Sequence, residues 1–167
     1  GNNNFVVKAN NGNCEVTLLN TGTIHVNTPG ITVTQISSIT TESGGTATFT
    51  IGLNTEPSNN VTINLTSSNT YEGTVPSSVI FTSTDWSAKT ITVTGVNDDY
   101  DDGDIPYTIN ISSAISSDAN YNGKDPDDLS YTNTDNDAAG VVVSAISGNT
   151  TEAGSGTATF TIELACK

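Results

Sequence analysis

The stretch GITVTQISSITTESGGTATFTIGL, residues 30–53, contains the pattern that decides the fold. In its second half, TATFTI, apolar side chains alternate with threonine, which is the period of a β-strand with one buried and one solvated face. The first half begins with ITVT, which alternates in the same way, and the SGG between them is a turn signal. The stretch therefore predicts two β-strands that bury apolar side chains on one face and expose threonine on the other.

The same pattern occurs a second time, as GVVVSAISGNTTEAGSGTATFTIEL at residues 140–164. Both copies contain TTE followed by GTATFTI, at an offset of about 110 residues, which defines an internal repeat. We therefore divide the chain into an N-terminal β-strand segment at 1–29, one full unit at 30–137, and the first two strands of a second, incomplete repeat at 138–167.

Alternation and turn signals predict the strands of the full unit. They are residues 31–37, 46–53, 61–67, 79–82, 89–96, 107–113 and 129–134. This number of strands, with turns between them, predicts an all-β fold, an antiparallel β-sandwich. The predicted inward side chains are Val33, Ala47, Phe49, Ile51, Ile63, Leu65, Ile91, Val93, Ile109 and Ile111. We expect Trp86 to cap one end of this core rather than to bind sugar.

The N-terminal segment predicts extra strands outside the repeat. Residues 5–9 and 15–20 read as a hairpin around the turn at Asn11 and Gly12, and residues 23–27 as a further short strand. His25 has no second His or Cys at a metal-ligand spacing, so we expect it to be a surface or packed side chain rather than a metal ligand. The strands of this segment are candidate donors to another sheet.

Charge and composition exclude several classes of function. The chain has 4 Lys and Arg against 18 Asp and Glu, a net charge of −14, so it offers no basic surface for a nucleic acid partner. No apolar run is long enough for membrane insertion. The Thr, Ser, Asn and Gly-rich composition without Met favours an extracellular or cell-surface protein. Cys14 and Cys166 can pair within one chain, link two chains, or stay free.

Most of the acids fall into two windows. They are Asp98, Asp99, Asp101, Asp102 and Asp104, and then Asp118, Asp125, Asp127, Asp128, Asp135 and Asp137. In the predicted sandwich the first window, Glu42 and the Asp135 to Asp137 tail meet at one end. Two carboxylates about 5 Å apart repel by roughly 3 kcal/mol at an effective dielectric constant of about 20. Converging acids therefore predict a neutralising cation, and an all-oxygen ligand set favours Ca²⁺. A solvated acidic loop that aids solubility is the alternative.

The spacing does not fit an EF-hand. When Gly103 is aligned with the glycine of that loop, Tyr100 falls on a ligand position and Ile109 replaces the bidentate Glu. A calcium site here would therefore be assembled from separate loops of the sandwich.

The order of motifs resembles the Calx-beta-type repeat, an immunoglobulin-like Ca²⁺-binding module that occurs in bacterial surface and adhesin-like proteins. The motifs are TTESGGTATFTIGLN, VTINLTSSN, EGTVPSSVIFTSTDW, KTITVTGVNDDYDDGDIPYTINI and TNTDND. The resemblance implies ligands at Glu42, Asp98 or Asp99, Asp101 or Asp102, and Asp135 and Asp137, with Asp104 and Asp118 as second choices. An ion at Asp135 and Asp137 would also fix the angle to the second copy, since these residues lead into it. In the internal repeat, Glu152 is the counterpart of Glu42.

The chain lacks the patterns of an enzyme. It has one His, no GxSxG, no HExxH and no glycine-rich phosphate loop, so we expect no catalysis. We expect instead a structural or adhesive module rigidified by Ca²⁺, whose partners are copies of itself or adjacent repeats, with cell-surface glycans as a further option. A carbohydrate-binding or ice-binding module of a large adhesin is the alternative.

The incomplete second repeat admits two explanations, since two strands alone are marginal in water. The chain is either a fragment of a longer array or a subunit that polymerises head-to-tail into a surface fibre by strand complementation.

Overall fold

The structure is a computed structural model and describes residues 27–154 and 156–165. These residues form twelve β-strands and no helix. The strands are β1 Ile31–Gln35, β2 Ile39–Thr41, β3 Thr46–Leu53, β4 Val61–Ser67, β5 Gly73–Thr74, β6 Ser78–Phe81, β7 Lys89–Gly95, β8 Ile105–Ile111, β9 Ile115–Ser116, β10 Leu129–Thr134, β11 Gly140–Val143 and β12 Ile162–Ala165. The predicted N-terminal strands fall almost wholly outside the described ranges, as do His25 and both cysteines.

The first repeat folds into an antiparallel, immunoglobulin-like β-sandwich, as predicted. One sheet has the order β1-β3-β7-β5, and the other has the order β2-β10-β8-β4-β6, with β9 also pairing with β4. The pairs within both sheets are antiparallel except β2 with β10, which is parallel. All seven predicted strands of this repeat are confirmed, with ends that agree to within about two residues.

The core lies between the two sheets and follows the predicted alternation. Every predicted inward side chain is buried except Val33, which is half-buried against the core. Tyr107 and Tyr131 face each other across β8 and β10 with ring centroids 5.8 Å apart. Trp86 packs against the core, so its predicted packing role is confirmed.

The strands carry the acids to one end of the sandwich. This acidic end consists of the segments that follow β2, β7 and β10, at residues 42–45, 96–104 and 135–139. The backbone closes it with two hydrogen bonds, from Gly95 N to Gly45 O at 3.0 Å and from Glu42 N to Thr134 O at 3.1 Å. The start of β1 lies at the opposite end, where Asn54 N donates to Gly30 O at 2.9 Å.

The second copy repeats the pairing of the first. β11 and β12 pair antiparallel, with Val141 opposite Leu164 and Val143 opposite Ile162. In the first copy β1 and β3 pair in the equivalent register, with Ile31 opposite Leu53. Within the described residues, β11 and β12 form a separate two-stranded sheet.

Candidate metal centre

A first group of carboxylates forms where β2 runs beside β10. The parallel register pairs Thr41 with Thr134, so the residues that follow the two strands meet. Glu42, Asp135 and Asp137 each offer an oxygen, and these oxygens lie within 4.8 Å of one another. The sequence predicted this convergence of Glu42 with the tail after the last strand.

One oxygen of this group has no hydrogen-bond partner among the residues that the structure describes. Asn136 N donates to Glu42 Oε2 at 3.1 Å, and Asp137 N donates to Asp135 Oδ1 at 2.7 Å. Asp137 Oδ2 is buried and, among the described residues, accepts no hydrogen bond. A buried carboxylate oxygen without a partner carries a desolvation cost that a bound cation would remove.

The pKa values of the three carboxyl groups are shifted in different directions. Burial raises the pKa of Glu42, and the nearby Asp135 and Asp98 charges raise it further. Burial also raises the pKa of Asp137, again helped by repulsion from Asp135. The pKa of Asp135 is lowered, because its carboxylate accepts hydrogen bonds from the backbone N–H groups of Asp137 and Gly103. The group therefore contains one carboxylate that backbone hydrogen bonds stabilise as an anion and two that are destabilised as anions.

A second group of carboxylates includes a residue that the sequence did not reveal. Glu72, Asp98 and Asp102 each offer an oxygen, again within 4.8 Å of one another. Glu72 is buried and directly precedes β5, so it adds a fourth segment to the acidic end. The available signal was the EGT at residues 72–74, an acid before a short strand in a region with few other charges.

Asn133 holds the buried member of the second group in place. Its Nδ2 donates to Glu72 Oε2 at 3.3 Å and to Val96 O at 2.9 Å. Its Oδ1 accepts from Thr40 Oγ1 at 2.9 Å, and that hydroxyl is 2.9 Å from the Tyr107 hydroxyl. This buried polar chain connects the core to the acidic end, and the sequence did not indicate it.

The other predicted ligands have different positions. Asp101 Oδ2 accepts from Ala139 N at 2.8 Å, and Asp104 Oδ1 accepts from Asp135 N at 3.1 Å, so both fasten the segment after β10. Asp99 is exposed and belongs to neither group. Asp118, the second-choice ligand, lies at the opposite end, where it accepts from Ser58 N at 2.8 Å. The expectation that Asp118 joins the site is therefore wrong, because its loop closes the start of β4.

The loop between β7 and β8 needs glycine at one point. Gly103 has φ 78°, a left-handed conformation that favours glycine, and its N–H donates to Asp135 Oδ2 at 2.8 Å. The turn places Asp102 in the second carboxylate group and Asp104 where its Oδ1 accepts from Asp135 N.

The acidic end has no lysine of the described chain beside it. Lys89 begins β7 at the opposite end and pairs there with Asp85 at 2.6 Å, and Lys124 hydrogen-bonds to Tyr121 and Ala114 at that end too. The grouped ligands are all carboxylate oxygens, without His or Cys. Such a set fits a hard cation such as Ca²⁺ and does not fit zinc. Five of the predicted ligands belong to these two groups. Glu42, Asp135 and Asp137 form the first, and Asp98 and Asp102, together with Glu72, form the second.

Comparison with known proteins adds little to this description. No protein-family model matches the chain, and no curated protein matches it. Among solved structures, WR4, a C. elegans member of the MSP family, is similar with 14% sequence identity and a TM-score of 0.37. The match covers 62% of this chain and 95% of that one. None of the described residues belongs to a helix long and apolar enough to cross a membrane.

Proposed function

We propose that the chain is a non-catalytic, extracellular structural or adhesive module of the Calx-beta type, whose sandwich is rigidified by Ca²⁺ at the acidic end. The observation that carries this proposal is the convergence of two carboxylate groups beside the buried, unpartnered oxygen of Asp137. Carboxylates at this density oppose folding unless a cation neutralises them.

The positions of the ligands explain how an ion would stiffen the module. Glu42 follows β2, Glu72 precedes β5, and Asp98 follows β7, so the two groups draw on both sheets. Asp135 and Asp137 lie on the segment that leads from β10 to β11. An ion at these groups would tie both sheets to that segment and fix the direction in which the second copy leaves the first.

The supporting loops favour Ca²⁺ over Mg²⁺. Ca²⁺ accepts six to eight oxygens in flexible geometry, whereas Mg²⁺ requires a near-octahedral set and retains its water. The ligands here come from separate loops and strand ends, which suits the more tolerant ion. Extracellular modules bind Ca²⁺ at roughly 10⁻⁴ to 10⁻³ M, so a cell-surface location would supply enough of it.

Partners in this proposal are adjacent repeats or copies of the chain, arranged end to end. The internal repeat supports this arrangement, since the second copy leaves from the acidic end of the first. Cell-surface glycans are a further proposed partner of an adhesive array.

A melting curve tests the calcium proposal. We expect the melting temperature of the chain to rise in millimolar CaCl₂, to rise much less in MgCl₂, and to fall back in EGTA. Asp127→Asn is the matched control, because it removes one carboxylate from the exposed loop at the opposite end and should keep the full Ca²⁺ response. A melting temperature that does not respond to Ca²⁺ would refute the proposal.

The threonine face supports the alternative function as a carbohydrate-binding or ice-binding module. The outer face of the four-stranded sheet carries aligned threonines: Thr46 opposite Thr94, Thr48 opposite Thr92 and Thr50 opposite Thr90. Their hydroxyls would repeat at the spacing of about 4.8 Å between strands. Retention on a glycan array or thermal hysteresis that is lost in Thr92→Lys would establish this function, and absence of both would eliminate it.

A further inference from the structure

The second copy exposes the side chains that form the core of the first copy. Phe49, Ile51 and Leu53 on β3 are 0%, 0% and 6% exposed. Their counterparts in the repeat, Phe160, Ile162 and Leu164, are 55%, 63% and 79% exposed. The same sequence in the same strand register therefore lacks, among the described residues, the packing that it has in the first copy.

The first copy shows which strand pairs with the outer edge of this hairpin. The edge of β3 that faces away from β1 pairs antiparallel with β7, with Phe49 opposite Ile91 and Ala47 opposite Val93. β7 has the sequence KTITVTG, in which Ile91 and Val93 point inward between threonines. The equivalent edge of β12 therefore requires an antiparallel strand with the same alternation.

The N-terminal sequence contains a segment with that alternation. Residues 14–20 read CEVTLLN, and aligned with KTITVTG they place Val16 at the position of Ile91 and Leu18 at that of Val93. Thr17 then takes the position of Thr92 on the solvated face. The segment precedes the first repeat in the sequence.

Geometry favours the segment of a second molecule over that of the same chain. Gly30, where the first repeat begins, lies at the opposite end from Asp135, where the path to β11 begins. The sandwich is about 26 Å long, because β3 has 8 residues at about 3.3 Å each. The ten residue steps from 20 to 30 span at most about 33 to 36 Å when fully extended, so a return along the same sandwich would use about three quarters of that span.

We propose that residues 14–20 of a second copy of this chain add, as an antiparallel strand, to the edge of β12 that is unpaired among the described residues, with Val16 facing Phe160 and Leu18 facing Ala158. This inference rests on the end-to-end arrangement proposed above and names its partner. The donor segment precedes Gly30 and the acceptor follows Asp135, and these two residues lie at opposite ends of the first repeat. Each added copy therefore presents a new acceptor, and the assembly does not close on itself. Main-chain hydrogen bonds hold the added strand, and the inward side chains select it.

Two variants and their mixture test the proposal. Val16→Lys destroys the donor but leaves β12 intact, whereas Phe160→Lys destroys the acceptor but leaves residues 14–20 intact. We expect the unaltered chain to form filaments by negative-stain microscopy and each variant alone to sediment as a monomer. Mixed in equal amounts, the two variants should form a one-to-one heterodimer that grows no further, because only one productive interface remains.

Matched controls separate strand addition from a general effect of charge. Thr17→Lys and Thr161→Lys add the same charge to the same two strands on their solvated faces, and both variants should assemble like the unaltered chain. An unaltered chain that stays monomeric at high concentration with Ca²⁺, or a mixture of variants that stays monomeric, would overturn the proposal. Assembly lost equally in Thr17→Lys would overturn the assignment of the faces.

The same mixture, studied in EGTA, keeps this proposal distinct from the calcium site. If heterodimers form and the melting temperature does not change with Ca²⁺, the metal centre is refuted and strand addition is supported. If the melting temperature depends on Ca²⁺ and no heterodimers form, the metal centre is supported and strand addition is refuted.

Discussion

Replacement of Glu42 by Gln should have opposite effects on stability with and without Ca²⁺. The amide keeps the shape of the side chain and an oxygen that accepts from Asn136 N. It removes the charge that burial and the neighbouring aspartates destabilise, which are the causes that raise the pKa of Glu42. In EGTA we therefore expect Glu42→Gln to melt above the unaltered chain.

In Ca²⁺ the order should reverse, because Glu42 supplies one of the three oxygens of the first group. At a free Ca²⁺ concentration 100 times the dissociation constant, binding stabilises the folded state by about 2.7 kcal/mol. If loss of this anionic ligand weakens binding tenfold, the stabilisation falls by about 1.4 kcal/mol. For a domain of this size, the Ca²⁺-induced rise in melting temperature of the variant should therefore be roughly 5 °C smaller than that of the unaltered chain.

Differential scanning fluorimetry over a Ca²⁺ titration measures both limits, with Asp127→Asn as the control for loss of one negative charge. The melting curves of Glu42→Gln and the unaltered chain should cross as Ca²⁺ rises. Parallel curves at all Ca²⁺ concentrations would refute the reasoning, since they would show that the buried carboxylate is not a ligand.

Three further predictions concern the surroundings of the site. Glu72→Gln should lower the number of Ca²⁺ ions bound in isothermal titration calorimetry but leave the Glu42 group able to bind, and an unchanged stoichiometry would remove Glu72 from the ligand set. Gly95→Ala should lower the free energy of unfolding by about 2 kcal/mol in a urea titration, because a Cβ atom there would overlap Thr41 O and Asn133 Oδ1, and a wild-type midpoint would show that the strands can separate. Hydrogen bonds from the Ser58 and Asn120 N–H groups lower the pKa of Asp118. Asp118 therefore contributes stability above its unfolded pKa of about 3.9, and this stability is lost as the pH falls through the lower folded pKa. Stability of Asp118→Asn in EGTA should therefore depend less steeply on pH below about 4, and an unchanged slope would count against this contribution.

The sequence predicted the sandwich well because its main strands are long enough to show a period. β3 and β7 have 8 and 7 residues, and their alternation of threonine with apolar side chains assigned the inward face correctly. β2, β5 and β9 have two or three residues, too few for any period, so they were not predicted. Their pairing depends on contacts with distant strands rather than on local pattern.

The same limit explains what was missed at the candidate metal centre. Glu42, Asp135 and Asp137 could be predicted because Glu42 precedes the recognisable strand β3 and both aspartates follow β10. Glu72 could not, since it precedes the two-residue strand β5. Asp118, a second-choice ligand implied by the resemblance, was misplaced because neither motif order nor charge density tells which end of the sandwich its loop closes. Here its carboxylate serves as a turn acceptor.

The parallel pairing of β2 with β10 has a mechanical consequence. The chain enters the sandwich at Gly30 and leaves it at Asp135, at the opposite end, so a pulling force acts along the strands. Hydrogen bonds between β10 and its neighbours β2 and β8 are then loaded together in shear, rather than broken one after another. An ion bound by both Glu42 and Asp135 would lie at the point where the pulled chain leaves the domain. The force needed to unfold the domain would then depend on that ion.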